Sequence, residues 1–591
     1  MTKFRALALL MFVIFLETSF RQGWTRKETD FPNYYTAAVL VRRGAPLRDY
    51  YDWTWFQRQM DYAGIRDTLG AYVPQTPLTM LPMVPIANFS VQTAKRIWLA
   101  LNLVFLAATL WMLSKTTQIR IEQIAILMFL GYASLQSNFR LGQYYILLLF
   151  LLTLAFYALR RGMSFSAGFL CGVAFGLKLY GGPFLLYFLV KRNWKAVAGM
   201  LAASTVAVVA AIALFGWGDV HFYATQILPR SLEGEVIDPY DAGNATFTTL
   251  LRHSFVMEPD LNPHPLWNAP GIFFFLRTFT ALLILGYTLV GIASEGQKFS
   301  QRGFAWFTIA VLLLSSNAVS YTYLLLLLPV ALLLESAAPK ERIYLITSYV
   351  ALNVFLLAGS VRFYPKLFIL LALYCVEGRR YWRAFHPKII AVGLSSAMII
   401  AALDAERHLT HYFAEPSMNC ERLAVDRGTY LSTYPVVTSA GLFYEAMVRS
   451  GYVLRWSHQG RVEDLAFGGQ VFHPVAASSV GPIYFELVKG DVSTRMMFNP
   501  VTRQAVPAPS TPITTKGPVI SPDGKWVAVE SGLAGPKQIW LRDAATGRGR
   551  FSLAGDCNYS SPAWENSHSL IFASDCRRGL GMPVLYRANI P

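Results

Sequence analysis

The chain has 591 residues, 54% of them hydrophobic and 14% aromatic, with only 15% charged, against about 25% in soluble globular proteins. That deficit of charge on so long a chain excludes a purely cytosolic enzyme. Lys and Arg exceed Asp and Glu by 52 to 35, a net charge of +17, which fits nucleic acid, anionic lipid or the cytoplasmic loops of a membrane protein.

The first apolar stretch, residues 4–20 with Lys3 and Arg5 at its head, is long enough for a tilted span or a signal peptide. No small-residue cleavage site follows, so an uncleaved anchor is expected. Further apolar segments lie near 97–114, 121–136, 143–159, 165–178, 180–191, 195–215, 271–293, 303–316, 320–335, 343–359, 363–376 and 388–403. Several are shorter than the roughly 20 residues a straight span needs, so hairpins and broken helices are expected. With the anchor this makes about thirteen segments, an odd number, which puts the termini on opposite sides of the bilayer.

Basic residues set the orientation. Lys115 and Arg120, Arg160 and Arg161, Lys191, Arg192 and Lys195, Lys298 and Arg302, Lys340 and Arg342, and Arg379, Arg380, Arg383 and Lys388 fall in alternate short loops. The positive-inside rule makes those loops cytoplasmic, so the basic excess is a topology device and no nucleic-acid partner is expected. The expectation is a multi-pass protein of the plasma (inner) membrane with its N-terminus cytoplasmic. Two long loops, about 21–95 and 216–270, and everything after about 405 then lie outside.

After residue 405 short alternating runs separated by Gly, Pro and Ser read as strands and turns. Pro435, Pro474, Pro518 and Pro562 recur 39, 44 and 44 residues apart, each leading a short apolar strand. The clearest unit is GPVISPDGKWVAVES (517–531) followed by QIWLRDAATG (538–547), with hairpin turns at Asp523-Gly524 and between Asp543 and Gly547. A repeat of 40–45 residues with several strands is the propeller pattern. On SPDGKW and IWLRD-x-x-TG this stretch resembles TolB-like and WD-repeat-like β-propellers, with an irregular β-sandwich as the alternative.

The expected division is a membrane domain over 1–404, a linker over 405–429 and a propeller-like domain over 430–591. Cys171 and Cys375 fall within apolar segments and read as buried small hydrophobes. Cys557 and Cys576 flank strands of the last unit and could pair in an oxidising compartment or remain free thiols.

Motifs for nucleotide, dinucleotide, serine-hydrolase and zinc chemistry are missing, as are Cys/His clusters with zinc spacing, so no metal ligand set is assigned. The first outer loop is the most informative stretch: ETDFPNYYTAAVLVRRGAPLRDYYDWTWF (28–56), then GAYVPQTPLTMLPMVP (70–85). Asp30 stands there beside Asn33, Tyr34 and Tyr35. A carboxylate at the membrane surface next to rings that stack on a sugar is what a general base for a hydroxyl acceptor requires. Lys178, in GLKLYGGP, is costly in an apolar segment and should face protein, water or an anion. Arg140 is a candidate second phosphate clamp, and Arg252 and His253 fall in the outer loop that would cover the site.

Taken in order, DFPNYYTAA, Y-x-P-x-x-P, RLGQYYILLLFLLTLAFYALRRG, GLKLYGGP, NATFTTLLRH and SSNAVSYTYLLLLLP resemble the C superfamily of glycosyltransferases over about residues 5–400. The nearest branch is family 87, similar to the polyprenol-phosphate-mannose-dependent mannosyltransferases. The resemblance implies a multispan α-helical membrane protein with the C-superfamily fold, carrying here a C-terminal all-β, propeller-like extracytoplasmic domain. It further implies inverting transfer of a hexose from a polyprenyl-phosphate sugar to a hydroxyl, with Asp30 as base. The donor is lipid-linked and no cofactor is assigned; the partners are that donor, a glycan or glycolipid acceptor and membrane lipids. By the same resemblance Gln143 and Arg252 belong to the donor site, and Asn244 and His253 to the sugar or acceptor site. The family's G-Q-x-N stands here as Gly142-Gln143-Tyr144-Tyr145, its late-loop Pro is Asn317, and Tyr321 or Tyr323 stands near its usual His or Tyr. A transporter with broken helices around Lys178, or a propeller receptor anchored by the spans, are the competing readings.

Overall fold

The computed structural model describes residues 3–590 apart from 27–28, 66–67, 236–237, 242, 297–298, 355–363, 412–419, 424–428, 491, 509–516, 532–536, 554–556, 577 and 579–580. Lys298, part of segments 343–359 and 363–376, and much of the expected linker thus lie outside the described residues.

Every expected apolar segment contains a helix, but few reach the length of a bilayer. Among the described residues four do: Val91–Thr116, Trp194–Leu232, Pro270–Ser294 and Pro387–Thr410. Tyr132–Leu141 and Tyr145–Arg160 would make a fifth, although bent against each other by 119°. The expected thirteen segments are therefore long helices mixed with shorter apolar pieces such as Ile121–Leu130 and Ser164–Lys178. The helix ends are written locally. Ser90 accepts a hydrogen bond from the Thr93 amide ahead of Val91–Thr116, and Asn193 accepts one from Ala196 ahead of Trp194–Phe222. With a core of buried Leu, Phe and Tyr side chains, this half is a multi-pass membrane unit.

The C-terminal part is all β. Strand β1 is Cys420–Arg422. The first sheet holds β2 (Thr429–Thr438), β3 (Gly441–Val448), β4 (Gly451–His458) and β5 (Arg461–Leu465). The second holds β6 (Gln470–Ala476), β7 (Ile483–Lys489), β8 (Val492–Asn499) and β9 (Gln504–Pro507). The third holds β10 (Val519–Ile520), β11 (Trp526–Ser531), β12 (Gln538–Asp543) and β13 (Gly549–Leu553). The last runs β14 (Tyr559–Asn566), β15 (Ser569–Ser574), β16 (Val584–Asn589), and takes β1 as its fourth strand.

All pairings are antiparallel, so this is a four-bladed, propeller-like arrangement rather than the alternative sandwich. Strand β1 completes the last sheet, which the repeat could not reveal, by pairing with β16 through Cys420 with Ala588 and Arg422 with Tyr586. The helix ending at His411 passes residue 404 and β1 falls within 405–429, so the described residues of that stretch are mostly regular structure. Both hairpin turns form, with Asp523 accepting from the Ser521 hydroxyl and Asp543 accepting from the amides of Ala545 and Thr546.

Three of the repeated prolines mark bulges. Tyr434, His473 and Ser561, each just before its proline, have φ of +50°, +51° and +53°, and the strand register shifts at each. Cys557 and Cys576 form a disulfide. Cys171 is buried as expected; Cys375 is instead exposed, because the helix Pro365–Gly378 turns that face away from the core.

The propeller sits on the long loop after the first apolar segment. Helix Trp53–Tyr62, capped by Asp52, presents Arg58 to Glu486 at 2.8 Å and to the Phe472 ring at 4.8 Å. Thr54 donates to Glu445 at 2.9 Å and Gln470 donates to Asp61 at 3.3 Å. Phe273, Phe274 and Val256, from the second long loop and the helix after it, share a core with Tyr559 and Trp564 of the last sheet.

Candidate active site

Asp30 stands at the N-cap of helix Phe31–Arg42, where Pro32 in the first turn fixes the backbone entry. Its Oδ2 accepts from Gln143 Nε2 at 2.6 Å, and Gln143 Oε1 accepts from the Tyr34 hydroxyl at 2.8 Å. One buried amide thus joins the loop carboxylate to a tyrosine one turn along the same helix. Gln143 reaches that position because Gly142 closes helix Tyr132–Leu141 with φ +70°, while the next helix leaves at a steep angle. At that position any Cβ would stand 2.8 Å from Phe31. The chain therefore breaks at a residue that tolerates both the left-handed backbone and the close contact.

Lys178 ends helix Ser164–Lys178, whose C-terminal dipole favours a cation. Thr76 and Thr79 of the first long loop hydrogen-bond the last carbonyls of that helix, at Gly176 and Leu177. The chain then folds back through Gly181, where a Cβ would meet the Cys171 carbonyl at 2.0 Å. The ammonium lies 5.0 Å from the Tyr145 ring centre and 5.7 Å from that of Tyr34. Among the described residues no carboxylate lies within ion-pair distance of it.

A cavity of about 280 Å³ opens between these groups, lined by Asp30, Asn33, Tyr34, Gln143, Tyr145 and Lys178 together with Tyr180, Ser231, Ser315, Asn317 and Tyr321. Burial pushes the Asp30 carboxyl up from its ordinary range, against the Gln143 hydrogen bond and the positive charges of Lys178, Arg26 and Lys95. The arrangement is a carboxylate of raised basicity facing a cation across a cavity walled by tyrosines. Among the described residues no group of three His, Cys, Asp or Glu side chains is placed to hold a metal ion.

Residues 74–316 match the family model of Glycosyltransferase family 87. No curated protein matches the chain. The match suggests a membrane glycosyltransferase. The matched stretch contains Gln143, Tyr145, Lys178, Tyr180, Ser231, Asn244 and Ser315, while Asp30, Asn33 and Tyr34 precede it and Asn317 and Tyr321 follow it.

Five of the residues singled out by sequence, Asp30, Asn33, Tyr34, Gln143 and Lys178, line this cavity; the other five do not. Tyr35 points its hydroxyl to the Phe89 carbonyl at 2.8 Å. Arg140 contributes its carbonyl, which accepts from Lys95 at 3.1 Å, so the second positive charge nearby is not its guanidinium. Arg252 is fully buried, pairs with Glu235 at 3.3 Å and stacks on Phe273, tying helix Phe247–Phe255 to its neighbours. His253 shares a hydrogen bond with the Tyr240 carbonyl at 2.7 Å. Asn244 binds the backbone of Ser316 and Ala318, fixing a segment that lines the cavity.

Sequence reasoning missed Lys95, Tyr180, Ser231 and Ser315. Lys95 bridges the carbonyls of Arg26 and Arg140 at 2.9 and 3.1 Å and adds positive charge near Asp30. Its place at the first turn of an apolar helix was the available signal. Ser231 and Ser315 carried none, being common polar residues far apart in the chain.

Proposed function

We propose that this chain transfers a hexose, mannose by the family resemblance, from a polyprenyl-phosphate sugar to a hydroxyl acceptor on the outer face of the membrane, with inversion. The observation carrying this reading is the cavity that sets Asp30, held by Gln143, across from Lys178. An acceptor hydroxyl hydrogen-bonded to Asp30 gives up its proton to the carboxylate as its oxygen attacks the anomeric carbon. The bond from that carbon to the phosphate oxygen breaks on the opposite side, and the electron pair leaves with polyprenyl phosphate. Lys178 compensates the developing phosphate charge, as a fixed cation does in a site of low dielectric. A phosphate leaving group is already a stable anion, so the step needs no strong acid. Asn33 and the rings of Tyr34 and Tyr145 are placed to hold the sugar.

The test is incubation of purified protein with polyprenyl-phosphate hexoses and envelope extract, measuring released polyprenyl phosphate. Asp30→Asn should lower turnover by about 10²–10⁴ while donor binding persists, the range general-base removal produces. Near-normal turnover in that variant removes Asp30 from the mechanism.

A further inference from the structure

A second cavity, about 220 Å³, lies where the first long loop meets the propeller. Its loop wall carries Tyr51, Trp53 and Trp55, and its propeller wall Thr433, Tyr434 and Ser561. Nothing in the transfer chemistry above uses it. The geometry points to a binding subsite for a neutral oligosaccharide acceptor, a reading that rests on the glycosyltransferase assignment and extends it.

Three features of the cavity converge on that ligand. Aromatic faces interleaved with hydroxyls, amides and carboxylates match a sugar, which offers C–H faces to rings and hydroxyls that both donate and accept. The charges disfavour an anion. Lys537 lies 3.1 Å from Asp52 and 3.9 Å from Glu530, and Arg48 pairs with Asp219 at 2.6 Å, so the lining cations are already matched by carboxylates. Among the described residues the indole nitrogen of Trp53, a side chain only 7% exposed, has no hydrogen-bond partner. A buried donor left unmatched is costly and suits a ligand hydroxyl or ring oxygen.

Position ties the subsite to the reacting groups. The Tyr51 hydroxyl donates at 2.9 Å to the carbonyl of Gln75, which lines the Asp30 cavity, so the two cavities share that wall. Ile227 and Ser231, one turn apart on a continuous helical stretch, line one cavity each. A chain of sugars seated against the propeller is therefore held beside the carboxylate that would deprotonate its end.

The experiment uses the full-length protein in lipid nanodiscs, titrated with uncharged gluco-, manno- and galacto-oligosaccharides of about two to six units and followed by saturation-transfer NMR and tryptophan fluorescence. At least one series should bind saturably. Trp55→Ala should weaken it by about tenfold or more, and Trp53→Phe, which keeps the ring and removes the donor, by about three- to tenfold. Both Trp variants are checked for an unchanged melting temperature, and Trp53→Phe decides the matter should Trp55→Ala fail to fold. Saturable binding of none of the series, or binding that Trp53→Phe and Trp55→Ala leave intact, overturns the subsite. Saturable binding without donor turnover in the wild type leaves the subsite standing and defeats the transferase reading. Turnover without such binding does the reverse.

Discussion

Asp30 holds its proton more firmly than a free aspartate because the cavity strips water from it, and the surrounding cations and the Gln143 amide only partly offset that loss. The sign of the pH dependence follows. A base must be ionised to act, so turnover falls as pH drops through a raised pKa, and the acid limb should lie above the ordinary aspartate value of about 4. A pH profile of kcat/KM checks this, and a limb at or below that value would remove Asp30 as the titrating base. Lys178 is expected to serve the donor's phosphate. Lys178→Ala should raise the dissociation constant of a polyprenyl-phosphate sugar by about tenfold or more, and unchanged donor binding would take it out of the site. Arg252 looked equivalent in the sequence, yet it is fully buried on Glu235 and Phe273. Residue type identifies a charge; only the fold says whether a partner already neutralises it.

Short elements, rather than long spans, bring the reacting groups together. Helix Ser164–Lys178 ends early because Gly181 and Gly182 let the chain turn back against it, which leaves Lys178 at a helix terminus facing the cavity. Gly181→Ala should destabilise the protein by about 1–3 kcal/mol, since the Cβ would collide with the backbone carbonyl of Cys171 at 2.0 Å. A thermal unfolding curve in detergent reads this, and an unchanged midpoint would show that the turn has room. The Gly-Gly-Pro signal was plain in the sequence, as was the Asp523-Gly524 turn. The break between segments 121–136 and 143–159 was legible, but not the helix Tyr132–Leu141 across it or its bend of 119°, since the polar run with Gln136, Asn138 and Arg140 reads as a loop. The prolines of the propeller were legible by period, but not the bulges they mark, since bulging depends on the partner strand.

At the scale of the whole molecule, the two halves meet over a cluster of acids whose ionisation opposes or supports docking. Burial pushes the Glu445 carboxyl up to about 7, against the pull of His473 and Thr54, and pushes Asp61 up to about 6. Glu486 goes the other way: hydrogen bonds from His473 and Ser493, together with Arg58, outweigh burial and hold it at about 2. Raised carboxyls favour the folded state below their unfolded values and lose that advantage as pH climbs, here from about 4.5 to about 7 for Glu445. The depressed Glu486 gives stability present above about 4.5 and lost as pH falls towards about 2. Docking should thus be firmest near pH 5 and loosen towards pH 7.5. Glu445→Gln should flatten that decline, and hydrogen exchange at the contact between Trp53–Tyr62 and the propeller measures it. A wild-type slope in Glu445→Gln would exclude Glu445 as its source.

The sequence by itself determined that the chain is a multi-pass membrane protein with a β-rich tail, because hydropathy and turn chemistry are local properties that tertiary context rarely overrides. It also put Asp30, Asn33, Tyr34 and Lys178 forward, through their place in a long loop and at a break in an apolar run, and Gln143 by the family resemblance. Only the tertiary structure decided that these five share one cavity, that β1 closes the last sheet, and that the propeller rests on helix Trp53–Tyr62. Those facts depend on contacts between residues more than a hundred positions apart, and no local pattern records which distant surfaces will meet.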